Sequence, residues 1–291
     1  MNWDDARIFL AVARKGQILG AARSLGLNHA TVARRLTALE EALGSMLFRR
    51  RTNGTELTAQ GERFLAFAEI MESASLGAAE ASGADSAVEG TVRVGAPDGF
   101  GVAFLAPRLG ELVERHPGLR IELVPVPRAF SLSRREADIA VTLERPREGR
   151  LVARKLTDYR LGFYAAARYL AVHGAPENLA GLAAHRLVGY VEDLLYAATL
   201  DYTAEFLKDW RSTIAISSAM GQTEAVRAGA GIGILHAFMA KSDPALVPVL
   251  PGHTLTRAYW IVMHEDLRSL RRVGLVADFL VEIVSRDRAM F

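Results

Sequence analysis

The chain has 291 residues, half of them apolar and 23% charged, a composition that indicates a folded globular protein and excludes a largely disordered one. Two or more domains are expected at this length, because single hydrophobic cores stop growing at about 250–300 residues. The absence of cysteine excludes disulfides, thiolate zinc sites and cysteine redox sensing.

The charge is unevenly distributed along the chain. The net charge is +2, but residues 1–60 hold nine Arg or Lys and only five acidic residues. A basic N-terminal segment with a near-neutral remainder is typical of a phosphate-binding module attached to a separate sensing domain. The first residues do not form a charged leader, and the apolar runs are shorter than the about 20 residues that span a bilayer. We therefore expect no signal peptide, no membrane anchor and a cytoplasmic location.

The N-terminal pattern predicts a helix-turn-helix. Helices are expected over 3–14, with Gly16 as the stop signal, and over 18–25. A third helix opens after the N-cap Asn28 and repeats apolar residues at helical spacing. The predicted buried stripe consists of Val32, Leu36, Leu39 and Leu43. The second helix of such a motif lies in the major groove of DNA.

A basic hairpin is predicted directly after the third helix. Leu47 and Phe48 form a short strand, and the tip is expected over residues 49–55, because Asn-Gly is the strongest short turn signal. Three consecutive arginines, 49–51, lie on this tip. The sequence therefore predicts a winged helix-turn-helix domain over residues 1–57.

A single long helix is predicted from Thr58, its N-cap, to about Ala81. Its apolar residues follow the spacing of a coiled-coil seam. The seam consists of Phe64, Ala68, Met71, Ser75 and Ala78, flanked by Phe67, Ile70 and Ala74. The helix either separates two domains or packs on its own domain, and residues 82–86 are predicted to form a linker.

Strands and helices alternate after the linker, which predicts an α/β domain with a parallel sheet. The predicted strands are 91–96, 119–126, 137–143, 161–165, 186–190, 213–217, 231–235 and 259–263. The predicted helices are 102–115, 222–228 and 267–284.

Together these residues resemble the LysR-type transcriptional regulators over essentially the whole chain. The N-terminal match is carried by Ala21-Ala22, Leu25, Leu39-Glu40, Leu43-Gly44, Leu47-Phe48-Arg49-Arg50, Leu57-Thr58 and Gly61. The downstream match is carried by Gly90-Thr91-Val92-Arg93-Val94-Gly95, His116-Pro117, Ala137-Asp138-Ile139-Ala140 and Gly229-Ala230-Gly231-Ile232-Gly233-Ile234.

The resemblance implies an α/β fold class with an all-α-rich N-terminal winged helix-turn-helix and a C-terminal, periplasmic-binding-protein-like pair of α/β subdomains. Residues 58–90 would be a dimerising linker helix and hinge, and residues 91–291 an effector-binding domain. Subdomain I would comprise 91–161 and 266–291, and subdomain II would comprise 162–265. Two crossing strands would join them, and a small effector would bind in the cleft.

The candidate DNA-binding residues lie on the third helix and the wing. They are Asn28, His29, Ala30, Thr31, Ala33, Arg34, Arg35, Arg50, Arg51 and Thr52. We expect Arg34 to reach a base or the deep groove and Arg35 to contact phosphate. Members of the family often have Ser-Gln where this chain has Asn28-His29, and Ser where it has Ala33. The base preference should therefore differ, because Gln can contact adenine through two hydrogen bonds and His offers one ring nitrogen at a time.

The candidate effector-binding residues lie after predicted strands, where open α/β sheets bind ligands. They are Pro97, Asp98, Gly99, Phe100, Pro127, Arg128, Phe130, Thr203, Met220 and Gly221. Asp98 brings a negative charge to the cleft, which weakens the expectation of a carboxylate effector. It either caps its own helix or belongs to a site that selects an amine or a neutral polar effector, or that is occluded.

The predicted function is that of a sequence-specific DNA-binding regulator controlled by a small molecule. It would act as a homodimer or homotetramer on promoter DNA, with RNA polymerase as a candidate partner. The alternative is a non-enzymatic small-molecule binding protein whose N-terminal helices serve assembly only. We expect no enzyme, because no catalytic arrangement is visible, and neither a cofactor nor a metal, because the seven histidines lack ligand spacing.

Overall fold

The structure is a computed structural model that describes residues 3–51, 54–81, 88–128, 136–146, 149–207, 210–268 and 270–291. The chain divides into two compact units. The first unit contains Met1–Ser86, Ser133–Glu136 and Asp266–Arg271, and the second contains Ala87–Leu132, Ala137–Glu265 and Arg272–Phe291.

The first unit is a three-helix module with a hairpin and a long helix. Its elements are α1 (Trp3–Lys15), α2 (Ile18–Leu25), α3 (His29–Leu43), β1 (Phe48–Arg51), β2 (Gly54–Leu57) and α4 (Ala59–Ala81). β1 and β2 pair in antiparallel register, with Phe48 opposite Leu57. The predicted hairpin is confirmed, but the expected tip was too long, because the three arginines belong to β1 and Gly54 and Thr55 to β2.

The core of the first unit is centred on Phe9, whose ring lies 5.1 Å from that of Phe48 and 4.8 Å from that of Phe64. Three members of the stripe predicted on α3 are buried, namely Val32, Leu36 and Leu39. The fourth member, Leu43, is 36% exposed, so that part of the prediction was wrong. Leu43 is the last residue of α3, the chain turns at Gly44, and Leu47 joins the core instead.

Glycine at two positions fixes the turns of this unit. Gly26 ends α2 in the left-handed conformation, with φ +65°, and Leu27 N–H donates to the carbonyl of Ala22. Gly54 opens β2 so close to the α1–α2 turn that an added Cβ would lie 2.3 Å from the carbonyl oxygen of Gly16. A side chain at residue 54 would therefore displace the hairpin from the helices.

The predicted cap and seam of α4 have different outcomes. Thr58 Oγ1 accepts a hydrogen bond from Gly61 N–H at 3.0 Å and donates to the carbonyl of Met46 at 2.7 Å, which confirms the cap. Ala68 is buried in the core of the first unit, and Phe64 packs against it. The first half of the predicted seam thus packs on its own unit. The flanking Phe67 is exposed.

The second unit is built on one eight-stranded mixed sheet. In chain order its strands are β3 (Gly90–Ala96), β4 (Leu119–Pro125), β5 (Ile139–Thr142), β6 (Leu151–Ala166), β7 (Leu187–Gly189), β8 (Ile214–Ala215), β9 (Ile232–His236) and β10 (Leu246–His264). Their order in the sheet is β4-β3-β5-β10-β6-β9-β7-β8. β6 and β10 pair antiparallel along most of their length, between the parallel set β4-β3-β5 and the parallel set β9-β7-β8. This is the arrangement of two α/β halves that share two crossing strands.

The helices of the second unit follow these strands. They are α5 (Asp98–Phe100), α6 (Leu109–Arg115), α7 (Ala167–His173), α8 (Thr203–Phe206), α9 (Ala219–Arg227), α10 (Ala237–Ala240) and α11 (Arg271–Arg286). Among the described residues, no helix is both long and apolar enough to cross a membrane.

Several predicted bounds in this unit require correction. The helix expected over 102–115 begins at Asp98 and is interrupted by a π turn over Gly101–Leu105 and a 3-10 turn over Ala106–Arg108. Pro107 lies in the 3-10 turn and has no N–H to donate to a regular α-helix. The long helix near the C-terminus begins at Arg271 rather than Leu267.

Candidate DNA interface and effector site

The N-terminus of α3 presents polar side chains to solvent. Asn28 Oδ1 accepts a hydrogen bond from Thr31 N–H at 2.7 Å, which confirms the predicted N-cap. His29, Ala30 and Arg34 are exposed on this part of the helix, and Ala33 is half-buried. Arg34 forms no hydrogen bond or ion pair with any residue that the structure describes. Its guanidinium is therefore available to an external anion or base.

Arg35 is engaged within the module. Its Nη1 lies 2.6 Å from Asp4 Oδ2 and its Nε 3.1 Å from Asp5 Oδ1, so it links α3 to the first turn of α1. The hydrogen bond from Arg35 lowers the pKa of the Asp4 carboxyl below its usual value. This ion pair competes with the phosphate contact predicted for Arg35.

The wing carries exposed arginines beside α3. Arg49 is exposed and has no partner in the described part of the chain. Arg51 forms an ion pair with Glu56 at 2.9 Å, and because both side chains are exposed the pair contributes little to stability. The side chain of Arg50 and all of Thr52, two of the predicted DNA contacts, lie outside the described residues.

Asp98 is the centre of the second candidate site. The residue is only 7% exposed, and its Oδ2 accepts hydrogen bonds from Ser218 Oγ at 2.6 Å and from Met220 N–H at 3.2 Å. Ser218 is the N-cap of α9, and its Oγ accepts from Gly221 N–H at 3.0 Å. The expectation that Asp98 caps its own helix was wrong. It is the first residue of α5 and satisfies the N-terminus of α9 instead.

The structure brings together only some of the predicted effector residues. Met220 N–H donates to Asp98 directly, and Gly221 is joined to Asp98 through Ser218. Phe100 is fully buried, with its ring 4.5 Å from Tyr259 and 5.2 Å from Phe104, so it is a core residue. Pro97 and Gly99 flank Asp98 and are buried, and a Cβ added at Gly99 would lie 3.2 Å from Cβ of Ala219 on α9. Pro127 and Arg128 are exposed after β4, and Phe130 lies outside the described residues.

A cavity of about 340 Å³ lies after β7, and Thr203 is the one predicted effector residue that lines it. Its lining residues are Tyr190, Glu192, Leu195, Leu200, Asp201, Thr203, Ala204, Leu207, Trp210 and Ser212. Sequence reasoning missed Tyr190 and Ser218. A signal existed for both, because Tyr190 ends a predicted strand and a serine before a helix is a favoured N-cap.

Buried tyrosines and a buried histidine interact electrostatically with Asp98. These side chains hold no charge at neutral pH. Burial raises the pKa of Tyr190 and Tyr202, and the negative charge of Asp98 raises both further. His236 is fully buried against Tyr159, and desolvation lowers the pKa of its imidazole to about 4, with Asp98 acting in the opposite direction. Arg257 acts on Tyr202 in the direction opposite to Asp98 and lowers its pKa.

A winged helix-turn-helix followed by a ligand-binding α/β unit defines a class of transcriptional regulators, and comparison with known proteins agrees. Residues 3–62 match the family described as bacterial regulatory helix-turn-helix protein, lysR family. Residues 85–285 match the LysR substrate binding domain. The chain belongs to the LysR family of transcriptional regulators.

Named relatives match different shares of the chain. The Mau operon transcriptional activator of Paracoccus denitrificans is 32% identical over 99% of each chain. The HTH-type transcriptional regulator DmlR of Escherichia coli (strain K12) is 31% identical over 62% of this chain, and that alignment spans only 59% of DmlR. The solved structure of CrgA, a LysR-type transcriptional regulator from Neisseria meningitidis, is 27% identical and covers 97% of this chain and 98% of its own, with a TM-score of 0.62.

Proposed function

We propose that this chain binds specific promoter sequences through α3 and the wing, and that a small molecule bound in the second unit controls this binding. The observation that carries the proposal is the N-terminus of α3, where Asn28 caps the helix and Arg34 is exposed without a partner among the described residues. A capped recognition helix with an unpaired arginine can enter the major groove and donate to a guanine edge.

The DNA contacts divide by type. His29, Ala30 and Arg34 face bases, and Asn28, Thr31 and Ala33 lie where α3 enters the groove. On the wing, Arg50, Arg51 and Thr52 contact the backbone or the minor groove, which adds salt dependence more than sequence preference. Arg35 orients α3 through Asp4 and Asp5, and its phosphate contact stays a prediction.

The assembly follows from the two-fold symmetry of most regulators of this kind. Residues 58–90 serve as the dimerising helix and hinge between the DNA-binding domain 1–57 and the effector domain 91–291. The effector domain divides into subdomain I, 91–161 and 266–291, and subdomain II, 162–265. A homodimer or homotetramer then contacts paired half-sites in cytoplasmic DNA. The role is regulatory rather than catalytic, and RNA polymerase is its partner if it activates transcription.

A footprint on the DNA upstream of its own gene tests the proposal. The wild-type chain should protect a dyad-symmetric site, and Arg34→Ala should weaken binding about five- to a hundredfold, the cost of one lost base contact. Arg120→Ala, which removes a 77% exposed arginine side chain of the second unit, is the matched control and should protect the same site.

The footprint also separates the two functions that the sequence left open. If the wild-type chain protects neither this DNA nor any genomic fragment at low salt, it is a small-molecule binding protein without a DNA target. If Arg34→Ala protects the site as strongly as wild type, α3 is not the element that contacts the bases.

A further inference from the structure

We infer that the effector of this regulator is a small organic cation, an amine whose ammonium group pairs with Asp98. The inference rests on the proposed function, because it names the chemical class of ligand that the effector site takes. It rests on three observations. Asp98 has no cationic partner among the described residues, and a cavity at the same edge of the sheet has an aromatic and acidic lining. The donors that a ligand carboxylate would use are already bonded to Asp98.

The carboxylate of Asp98 has no counter-ion among the residues that the structure describes. Both of its hydrogen bonds go to Oδ2, and Oδ1 accepts none from the residues that the structure describes. No Lys or Arg within the described ranges forms an ion pair with it. Asp98 is only 7% exposed as a residue, so its carboxylate pays a desolvation penalty, which a cation at Oδ1 would offset.

The neighbouring side chains do not supply that cation. His236 interacts electrostatically with Asp98, but burial keeps its imidazole neutral at physiological pH. Tyr190, Tyr196, Tyr202 and Tyr259 also interact electrostatically with Asp98, and each is a phenol that is neutral at physiological pH. Arg257 acts on Tyr202 as well, but its guanidinium forms an ion pair with Glu205. The hydroxyl of Tyr259 is fully buried and has no hydrogen-bond partner among the described residues, which leaves a second polar group for a ligand to satisfy.

A cavity at the same edge of the sheet suits a cation with an apolar body. Ile216 N–H donates to the carbonyl of Gly189, so Tyr190, which lines the 340 Å³ cavity, and Ser218, which binds Asp98, follow neighbouring parallel strands. Tyr190 and Trp210 provide ring faces for cation–π contact. The described lining carries two carboxylates, Glu192 and Asp201, which favour a positively charged ligand.

A carboxylate effector is disfavoured by the same geometry. The N-terminus of a helix such as α9 is an anion site in many proteins, because its N–H groups have no partner inside the helix. Here Asp98 already accepts from Met220 N–H and Ser218 Oγ, two donors that a ligand carboxylate would use. A second anion would find these donors occupied and would be repelled by Asp98.

Calorimetry on the full-length protein with ligands matched in shape tests the inference. The probes are benzylamine, benzyl alcohol and benzoate, and n-butylamine with n-butyrate. The amines should bind at millimolar concentration or below, and the carboxylates should bind more weakly. Asp98→Asn should weaken amine binding about ten- to a hundredfold, the effect of losing one hydrogen bond to a charged group.

Two further variants control for general effects. Asp278→Asn removes an exposed carboxylate on α11 and should leave amine binding unchanged. Glu192→Gln should weaken amine binding about two- to threefold, with the difference disappearing at high salt, because an exposed rim charge acts through screened attraction.

The inference is overturned if benzoate binds the wild-type chain as tightly as benzylamine does, or if neither amine binds at millimolar concentration. It is also overturned if folded Asp98→Asn binds amines with unchanged affinity. Should that variant not fold, the discrimination between amine and carboxylate by the wild-type chain still decides the question. DNA retardation by the same preparation is measured separately, so failure of the ligand class is distinguishable from failure of the regulator function.

Discussion

Arg34 and Arg35 are neighbours in the chain but have different environments. Successive residues of a helix point about 100° apart, so Arg34 faces solvent while Arg35 reaches the acidic first turn of α1. The pair with Asp4 and Asp5 contributes to stability above the pKa of the unfolded aspartates, about 3.9, and is lost in acid as the lowered pKa of Asp4 is passed. The sequence alone could not distinguish the two arginines, because the partners of Arg35 lie 30 positions away.

His236 is expected to make the second unit sensitive to acid. Its pKa falls from about 6.5 in the unfolded chain to about 4 in the folded one, because a charged imidazole would be fully buried. The unfolded state therefore binds more protons between these values, and stability decreases as the pH falls through this window. The expected loss from this group is about 3 kcal/mol.

Urea unfolding at a series of pH values checks this prediction. His236→Gln should show a flatter decline of the unfolding free energy between pH 6.5 and 4 than wild type, because Gln takes up no proton. His253→Gln, which replaces an exposed histidine of the same unit, should keep the wild-type slope. Parallel curves for wild type and His236→Gln would contradict the burial argument.

At the scale of elements, α4 exposes apolar side chains in the described part of the chain. Phe67 is 66% exposed and Ile70 is 40% exposed, and they lie three residues apart on one face.

If this face forms the dimer contact, the double change Phe67→Ser with Ile70→Ser should shift the chain toward monomer without unfolding it. Sedimentation velocity over a range of concentrations measures the shift. Leu19→Ser, which alters a leucine of α2 that is 49% exposed, should leave the association unchanged. A dimer of undiminished affinity in the double variant would place the contact elsewhere.

The elements that the sequence predicted best are those governed by local interactions. Asn28 and Thr58 each accept a hydrogen bond from a backbone N–H three residues ahead, so their roles are visible in a short stretch of chain. The crossing strands were predicted only in part. In β6 the end from Leu161 to Ala166 is buried on both faces and gives a continuous apolar signal, whereas residues 151–160 are mostly exposed or half-buried and give none.

The effector site was harder to predict because its contacts are distant in sequence. Asp98 was correctly placed after a strand, but its partner Ser218 lies 120 positions away, and no local pattern connects them. Phe100 was proposed as a ligand contact and is instead fully buried, because the aromatic residues that cover it come from other elements. Position along a strand predicts where a site lies, and the fold decides which side chains face it.

For the whole molecule, regulation requires that the effector and DNA each change the affinity of the chain for the other. Linkage demands that the two changes be equal, and coupling in such systems is typically about 5- to 150-fold. We therefore expect benzylamine to change the affinity for the footprinted site by the same factor by which that DNA changes the affinity for benzylamine.

Fluorescence anisotropy of the labelled site, with and without benzylamine, gives the first factor, and calorimetry with and without the DNA gives the second. Arg34→Ala should bind benzylamine with the wild-type affinity in the absence of DNA. Asp98→Asn should need about ten to a hundred times more benzylamine than wild type for the same change in its affinity for the site. A ligand that binds tightly and shifts neither affinity would occupy the cavity without regulating the protein, because only a difference in affinity between two states can move the equilibrium between them.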